Sequence, residues 1–271
     1  MQGEIRKMKT TLDDNNNANY SLPLYNSDEQ TYQYLDIQSL IGKEISFHFT
    51  GTIRCTSCTK KVKKTYLGGY CFDCFQTAPE ASECVIRPEL CRGHLGEGRD
   101  AAWEDQNHNQ PHIVYLTAND VIKVGVTRAT QVPTRWIDQG AAHAIKLAET
   151  PYRQLAGEIE VALKSEFSDK TNWRKMLKNE LDPALDLVET KWQIEEWLPD
   201  DLRQFMSEDD EITTINYPVL EFPQKVSSIN IEKTKEVSAR LLGIKGQYLI
   251  FEGNKVWNVR SHAGYELHFS I

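Results

Sequence analysis

The sequence has no apolar run long enough to cross a bilayer, because Lys245 or a glycine interrupts its longest hydrophobic stretches within a few residues. Its first residues contain no apolar segment of the kind found in secretory signals. It has no cysteine outside residues 55–91 and no low-complexity repeat. These absences predict a cytoplasmic protein without a membrane partner, whose clustered thiols bind metal rather than form disulfides.

An excess of negative charge argues at first against a polyanionic partner. The 271 residues carry a formal net charge of −8. Residues 180–211, however, hold twelve acidic residues against two basic ones, a net charge of −10, so the remainder of the chain carries +2. Charge therefore permits a nucleic-acid partner without demanding one, and it says nothing about the oligomeric state.

The order of the patterns predicts an α+β protein of several segments. Residues 44–53 alternate apolar and polar side chains like a half-buried strand, and from Ile212 onward short β patterns are separated by glycines. We expect five consecutive parts. The first three are a β segment (1–53) that joins a terminal barrel, a zinc-binding module (54–110) and a central core (111–180). The last two are an acidic helical segment (181–211) that packs by its aromatic residues, with Trp192, Ile194, Trp197 and Leu198, and a β-rich, small-barrel-like C-terminal domain (212–271).

Two C-x-x-C pairs twelve residues apart are the most specific pattern in the chain: Cys55 and Cys58, then Cys71 and Cys74. Each pair can present two thiolates to one tetrahedral ion, and zinc in a closed structural site prefers four such ligands. A redox role would need one C-x-x-C beside a βαβ pattern, and that context is missing. The spacing predicts a structural zinc site of the zinc-ribbon kind.

Four lysines lie between the two cysteine pairs: Lys60, Lys61, Lys63 and Lys64. A positively charged tip of this kind could contact phosphates of a nucleic acid. The alternative is a solvated hairpin tip, because a run of charge alone is not evidence of contact.

A second group of metal-binding residue types follows the first: Cys84, Cys91 and His94. Three such ligands could hold a second zinc, with His108 or His112 as the fourth. The alternative is two buried, unligated cysteines and a surface histidine.

The central residues 112–128 predict two short strands joined by a polar turn, followed by a helix from Thr134 and a third strand over 141–150. Pro151 then begins another helix. An angular count along that helix places Glu160 at the rim of its buried face, where packing can hold a carboxylate beside a cleft.

At these residues the sequence resembles the GIY-YIG endonuclease superfamily, in the branch where a Lys-Ile-Gly-like element replaces the second motif. Tyr115 stands in the first tyrosine motif, Lys123-Val-Gly125 in the second, Arg135 in the helix arginine position, and Glu160 in the metal-binding position. The interval from Gly125 to Arg135 is about two residues longer than that family's pattern. The whole layout resembles the bacterial domain-of-unknown-function 2797 family.

The superfamily resemblance implies a small antiparallel sheet with helices that hydrolyses a phosphodiester with one Mg²⁺ or Mn²⁺ ion. Tyr115 would then help to activate the nucleophile, Arg135 would stabilise phosphate charge, and Glu160 would hold the metal. Lys123 departs from the tyrosine of the motif and would act as a phosphate anchor or stabilise the transition state. Further candidates for phosphate contacts are Arg128 and Arg174.

Two functions from different classes follow. The first is a zinc-containing nucleic-acid-binding protein that also acts as a GIY-YIG-type endonuclease. The second is a non-catalytic nucleic-acid-binding or protein-interaction module whose GIY-YIG-like core is only a scaffold. In the second, Tyr115 is a core residue, Lys123 a strand residue, and Glu160 part of an ion pair with Arg153 or Arg135.

Overall fold

The computed structural model describes residues 1–167 and 172–270. Its strands are β1 (Gln2–Ile5), β2 (Lys9–Leu12), β3 (Ala18–Asn26), β4 (Thr31–Leu35), β5 (Glu44–Ile53), β6 (His112–Ala118), β7 (Ile122–Arg128), β8 (His143–Thr150), β9 (Thr213–Thr214), β10 (Ser227–Ser228), β11 (Glu236–Lys245), β12 (Tyr248–Phe251), β13 (Lys255–Asn258) and β14 (Tyr265–Ser270). Its α-helices are α1 (Phe72–Thr77), α2 (Ala101–Asn107), α3 (Thr134–Asp138), α4 (Arg153–Ala162), α5 (Trp173–Leu177), α6 (Leu187–Trp197), α7 (Asp200–Arg203) and α8 (Ile231–Thr234).

The fold is mixed α+β and divides into two compact units. Unit 1 comprises Met1–Gln76, Ile137–Gly140 and Asn216–Ile271, and unit 2 comprises Thr77–Trp136 and Ala141–Ile215. Both units are discontinuous along the chain, whereas the sequence suggested five consecutive segments.

Unit 1 is built on a ten-stranded sheet in the order β10-β13-β12-β11-β5-β14-β1-β3-β2, with β4 paired to β3. The predicted strand over 44–53 is β5, and it pairs antiparallel with β11 on one side and β14 on the other. Beside β14, the N-terminal strand β1 pairs Gln2 with His268. The two ends of the chain therefore share one sheet.

The closed small barrel expected at the C-terminus was wrong, because the described strands follow a path with two ends, β10 and β2. The long strand β11 pairs with two strands along its length. Its residues Glu236–Arg240 pair with β5, and Leu241–Lys245 pair with β12, with a shift of register between Leu241 and Gly243. The sheet is then extended beyond β14 by β1, β3 and β2 of the N-terminal β segment.

Aromatic side chains from the inner face of this sheet form the core of unit 1. Phe47 of β5 lies with its ring centroid 4.8 Å from that of Trp257 and 5.5 Å from that of Phe269. All three residues are at most 2% exposed. Alternate residues of β5 point inward, as the apolar and polar alternation of its sequence predicts.

Unit 2 contains a four-stranded antiparallel sheet in the order β7-β6-β8-β9. The strands, helices and turn predicted over 112–162 are all present. On one face of this sheet, Val114 and Leu116 of β6 join Ala156 and Ile159 of α4 in a buried apolar cluster. Helix α4 therefore forms because its apolar residues recur at helical spacing and cover that face.

The acidic segment is helical, but it does not pack by its tryptophans. Trp192 and Trp197 are 59% and 51% exposed, whereas Leu187 and Ile194 of α6 are buried in the unit 2 cluster. Among the described residues, no helix is both long and apolar enough to span a bilayer; α6, for example, has 11 residues.

A buried lysine stands out in unit 1. Lys245, at the end of β11, is 0% exposed, and its Nζ lies 5.2 Å from the ring centroid of Tyr217 and 5.6 Å from that of Phe222. Burial lowers the pKa of Lys245 to about 8. The folded protein therefore releases this proton more readily than the unfolded chain does.

Replacement of Lys245 by Met should remove a pH-dependent part of the stability. Because the folded-state pKa is depressed, the cost of burying the cation is fully present below pH 8 and disappears as pH rises toward the unfolded value near 10.5. We expect wild type to gain on the order of 2–3 kcal/mol relative to Lys245→Met between pH 7 and pH 10, measured by urea unfolding.

Lys255→Met on β13 is the matched control, because Lys255 is exposed. Its free energy of unfolding relative to wild type should stay constant over the same pH range. A constant difference for Lys245→Met as well would contradict the prediction.

Candidate functional site

The four cysteines of the two C-x-x-C pairs meet in unit 1, directly after β5. Their sulfur atoms all lie within 4.8 Å of one another, and Cys58 Sγ is 3.8 Å from Cys71 Sγ. The backbone folds around the sulfurs, because the Cys71 amide donates to Cys55 Sγ at 3.2 Å and the Cys74 amide donates to Cys71 Sγ at 3.4 Å. This cluster can hold a metal ion such as zinc.

The surroundings of these sulfurs favour the thiolate form of Cys55 over that of Cys74. Burial alone would raise the pKa of Cys55, but hydrogen bonds from the backbone of Cys71, Cys58 and Ser57 outweigh it and lower the pKa to about 7. Burial and the neighbouring sulfurs raise the pKa of Cys74 to about 12. A divalent cation would resolve this conflict, because it displaces the protons and compensates the charge of four adjacent thiolates. Four sulfurs also leave no open coordination position, which fits a structural site.

The tip between the two cysteine pairs is exposed and basic. Lys60, Lys61, Lys63 and Lys64 are all exposed. Within the described part of the chain, none of the four forms an ion pair with a carboxylate, and Lys64 Nζ lies 5.2 Å from the Tyr66 ring centroid. The preceding Arg54 instead pairs with Glu4 and Asp28.

A second group of metal-binding side chains forms in unit 2 from Cys84, Cys91, Glu104 and His108. Their ligand atoms also lie within 4.8 Å of one another. Of the two candidates for a fourth ligand, His108 is in this group. His94 lies outside it and stacks on Tyr152 with ring centroids 4.2 Å apart.

Sequence spacing missed Glu104. It lies on α2, four residues before His108, and residues i and i+4 share one face of a helix. The Asp100 side chain caps this helix by accepting a hydrogen bond from the Trp103 amide at 3.0 Å. The pattern Asp-x-x-x-Glu-x-x-x-His was the signal that could have paired the two residues.

On the central sheet, Tyr115 is a core residue. It is 1% exposed and pairs in register with Gly125 of β7. A Cβ on Gly125 would lie 2.6 Å from the Tyr115 hydroxyl oxygen, so the phenol rests directly on the glycine backbone. The Trp136 ring meets Tyr115 edge-on at a centroid distance of 6.1 Å.

Lys123 shares this face of the sheet. Val124 of β7 packs against the apolar cluster under α4, so its neighbours Lys123 and Gly125 point to the opposite face. Lys123 pairs in register with Thr117, and its Nζ is shielded from solvent.

Glu160 lies on α4 and lines a cavity of about 140 Å³ together with Arg87, Glu89, Val124 and Lys164. Burial raises the pKa of Glu160, outweighing the favourable fields of Arg153 and Arg135, and nearby Glu89 adds to the rise. Arg135 therefore acts on Glu160 through its charge. Tyr115, Lys123 and Arg135 are not among the residues that line this cavity.

The remaining basic candidates take different places in unit 2. Arg128 is half-buried, donates a hydrogen bond to Asn107 Oδ1, and lines a cavity of about 220 Å³ with Arg153 and His108. Arg174 on α5 is exposed, and its guanidinium lies 4.2 Å from the Trp173 ring centroid.

One wall of the Glu160 cavity is held against α4 by a close backbone approach. A Cβ on Gly157 would overlap the backbone of Pro88 and Glu89. Arg153, one turn earlier, donates to the carbonyl oxygens of Cys84 and Val85, each at 3.0 Å. The turn that precedes Cys91 is thus fixed to the helix that carries Glu160.

Gly157→Ala should destabilise the protein by about 1–3 kcal/mol, because the added methyl group meets rigid backbone. This cost should outweigh the gain of about 1 kcal/mol that alanine normally brings to a helix. Val161→Ala on the same helix is the control, because Val161 is 47% exposed and should change stability little. Equal or greater stability of Gly157→Ala in chemical unfolding would contradict the close approach.

Comparison with known proteins identifies the family of this chain. The model of DUF2797, described as a protein of unknown function, matches residues 42–267. No curated protein matches the chain, and no solved structure matches it. Because the match covers both groups of cysteines and the central sheet, the chain belongs to the DUF2797 family.

Proposed function

We propose that this protein is a zinc-containing nucleic-acid-binding protein whose GIY-YIG-like central sheet is a scaffold. The observation that carries the proposal is the basic tip on the four-cysteine cluster, with four exposed lysines between two C-x-x-C pairs. Phosphate backbones bind such point charges without reading sequence. A zinc ion would fix the tip, because all four of its ligands flank those lysines.

The local charge of the tip supports this reading more strongly than the net charge of −8 opposes it. Most of the acidic excess lies in residues 180–211, which belong to unit 2, whereas the tip belongs to unit 1. Physiological salt screens exposed charges over about 8 Å, so the four neighbouring lysines act together on a phosphate that comes close to them.

Binding is preferred to cleavage because of the central sheet. An endonuclease of the GIY-YIG kind needs Tyr115, Lys123, Arg135 and Glu160 around one open cleft. A phenol that is 1% exposed and rests on Gly125, and a lysine whose Nζ is shielded, give a phosphate no access to either group. Fold resemblance alone does not supply the chemistry.

Metal-dependent phosphodiester hydrolysis is the second candidate, and one observation favours it. Glu160 and Glu89 line the same cavity, and the charges of Arg135 and Arg153 act on Glu160. Two carboxylates are suitable ligands for Mg²⁺ or Mn²⁺, and an arginine can hold a phosphate oxygen. In this case Glu160 would be the metal ligand and Arg135 the phosphate-binding group.

Replacing the four tip lysines with glutamine should weaken nucleic-acid binding by at least about tenfold at moderate salt. It should also reduce the salt dependence of the affinity by roughly 0.7 log units per log unit of salt for each lost contact to a single strand. The measurement is fluorescence anisotropy with labelled single-stranded and duplex DNA and RNA at several salt concentrations.

The control has the same change of net charge at four other exposed lysines of unit 1: Lys225, Lys233, Lys235 and Lys255, each replaced with glutamine. It should bind as wild type does. Equal losses in both variants would assign binding to general charge, and no binding by wild type would overturn the proposal.

Incubation of wild type with labelled branched and single-stranded nucleic acids and Mg²⁺ or Mn²⁺ should give retention without cleavage. If wild type does cleave, Glu160→Gln decides the site, because glutamine keeps the shape of the side chain but lacks the negative charge with which a carboxylate binds Mg²⁺ or Mn²⁺. Glu158→Gln on the same helix is the matched control.

Cleavage that is lost in Glu160→Gln and retained in Glu158→Gln, with binding unchanged in both, would replace the scaffold reading with the nuclease reading. Cleavage that survives in both variants would place the reaction away from Glu160.

A further inference from the structure

We propose that Cys84, Cys91, Glu104 and His108 form a second zinc site, and that its metal ion holds one wall of the Glu160 cavity. The four ligand atoms lie within 4.8 Å of one another. Cys84 Sγ is 3.8 Å from His108 Nδ1, and His108 Nδ1 contacts Glu104 Oε2. Two sulfurs, one imidazole nitrogen and one carboxylate oxygen make a complete tetrahedral set for zinc.

Burial argues that this group exists to hold a cation. Glu104 and His108 are 1% and 4% exposed, and Cys91 is 2% exposed. A carboxylate beside two thiols is costly in such a place unless positive charge compensates it. Thiolate and imidazole ligands favour zinc over Mg²⁺ or Ca²⁺, which prefer oxygen.

The charges balance when zinc is included. Two thiolates and one carboxylate carry −3, and a zinc ion reduces this to −1. The remaining charge is matched by Arg153, whose guanidinium donates to the Cys84 carbonyl and lies in the field of both thiols. Without the ion, up to three negative groups would face Arg153 and the His108 imidazole, which contacts Glu104 Oε2.

Two glycines allow the surrounding backbone to pack closely against Glu104 and His108. A Cβ on Gly98 would overlap the Glu104 side chain, and one on Gly93 would lie 3.1 Å from His108 Cβ. The Trp103 ring meets the His108 ring edge-on at a centroid distance of 4.8 Å and fixes its orientation. His94, although close in sequence, is stacked on Tyr152 instead.

The metal ion would act on the cavity through the turn between its two cysteine ligands. Residues 85–90 contribute Ile86, Arg87 and Glu89 to the wall of the Glu160 cavity. The backbone of the same turn packs directly against Gly157 of α4. A metal that ties Cys84 and Cys91 to helix α2 would therefore fix both ends of this wall, independently of whether the protein binds nucleic acid.

The first experiment measures zinc in the purified full chain by inductively coupled plasma mass spectrometry. We expect two equivalents in wild type and one in His108→Gln. His94→Gln is the matched control and should keep two. The same zinc content in His108→Gln as in wild type, or loss of one equivalent in His94→Gln, would overturn the assignment.

A second measurement uses wild type alone, so it does not depend on whether a variant folds. Alkylation with iodoacetamide, followed by peptide mapping, should leave Cys84 and Cys91 unmodified until a strong chelator removes the metal. Modification of both at equal rates with and without chelator would refute the site. The four-cysteine cluster is mapped separately in the same digest.

Hydrogen exchange tests whether the second metal ion holds residues 85–90, which form one wall of the Glu160 cavity. Amides of residues 85–90 should exchange at least about tenfold faster in His108→Gln than in His94→Gln, because local opening loses a tether. If these amides exchange at the same rate after the second zinc equivalent is lost, the metal ion does not hold the cavity wall. Only the assignment of a metal site would then remain.

Discussion

Crowding of ligand groups is the constraint on which much of this structure depends. In each unit, four ligand atoms are brought within 4.8 Å of one another, and most of them become anions when they bind a metal. In unit 1 the segment around the four cysteines offers little apolar burial, because Leu67 and Phe72 are exposed at 42% and 51%. A metal ion bound by the four sulfurs would supply folding free energy that the sparse apolar contacts do not. The position of the basic tip then depends on the cluster beneath it.

Helix α4 combines several structural tasks in unit 2. Ala156 and Ile159 cover the sheet, Gly157 admits the turn before Cys91, and Arg153 satisfies the carbonyls of that turn. Glu160 is left at the rim between these contacts, half-buried beside a cavity. Its raised pKa follows first from burial, and such shifts occur in structural ion-pair networks as well as in active sites. The environment of Glu160 is therefore compatible with catalysis but is already explained by packing.

The sequence predicted those parts of the fold that depend on local pattern. The β6–β7 hairpin, helix α4 and the two C-x-x-C pairs follow from alternation, helical spacing and ligand spacing within a few residues. It did not predict the extent of the large sheet, because β1 pairs with β14 at the other end of the chain. Glu104 was missed for a related reason: its ligand role depends on a helix that brings it to cysteines in a separate turn. Whether the sheet stays open or closes into a barrel likewise depends on which edge strands pair, and the sequence of a short segment does not specify its partner strand.

The register of the central hairpin gives the pairing of Tyr115 with Gly125 a purely steric explanation. Tyr115 stands opposite Gly125, and its hydroxyl occupies the space that any larger residue would need for its Cβ. A glycine is thus required at position 125 as long as a tyrosine lies opposite it, whether or not the protein is a catalyst. This pair is therefore evidence about the fold and not about a reaction. Lys123 and Glu160 are different, because neither is needed to fill the apolar cluster under α4. Any catalysis on this sheet would therefore depend on those two charged residues, and of them only Glu160 lines the described cavity.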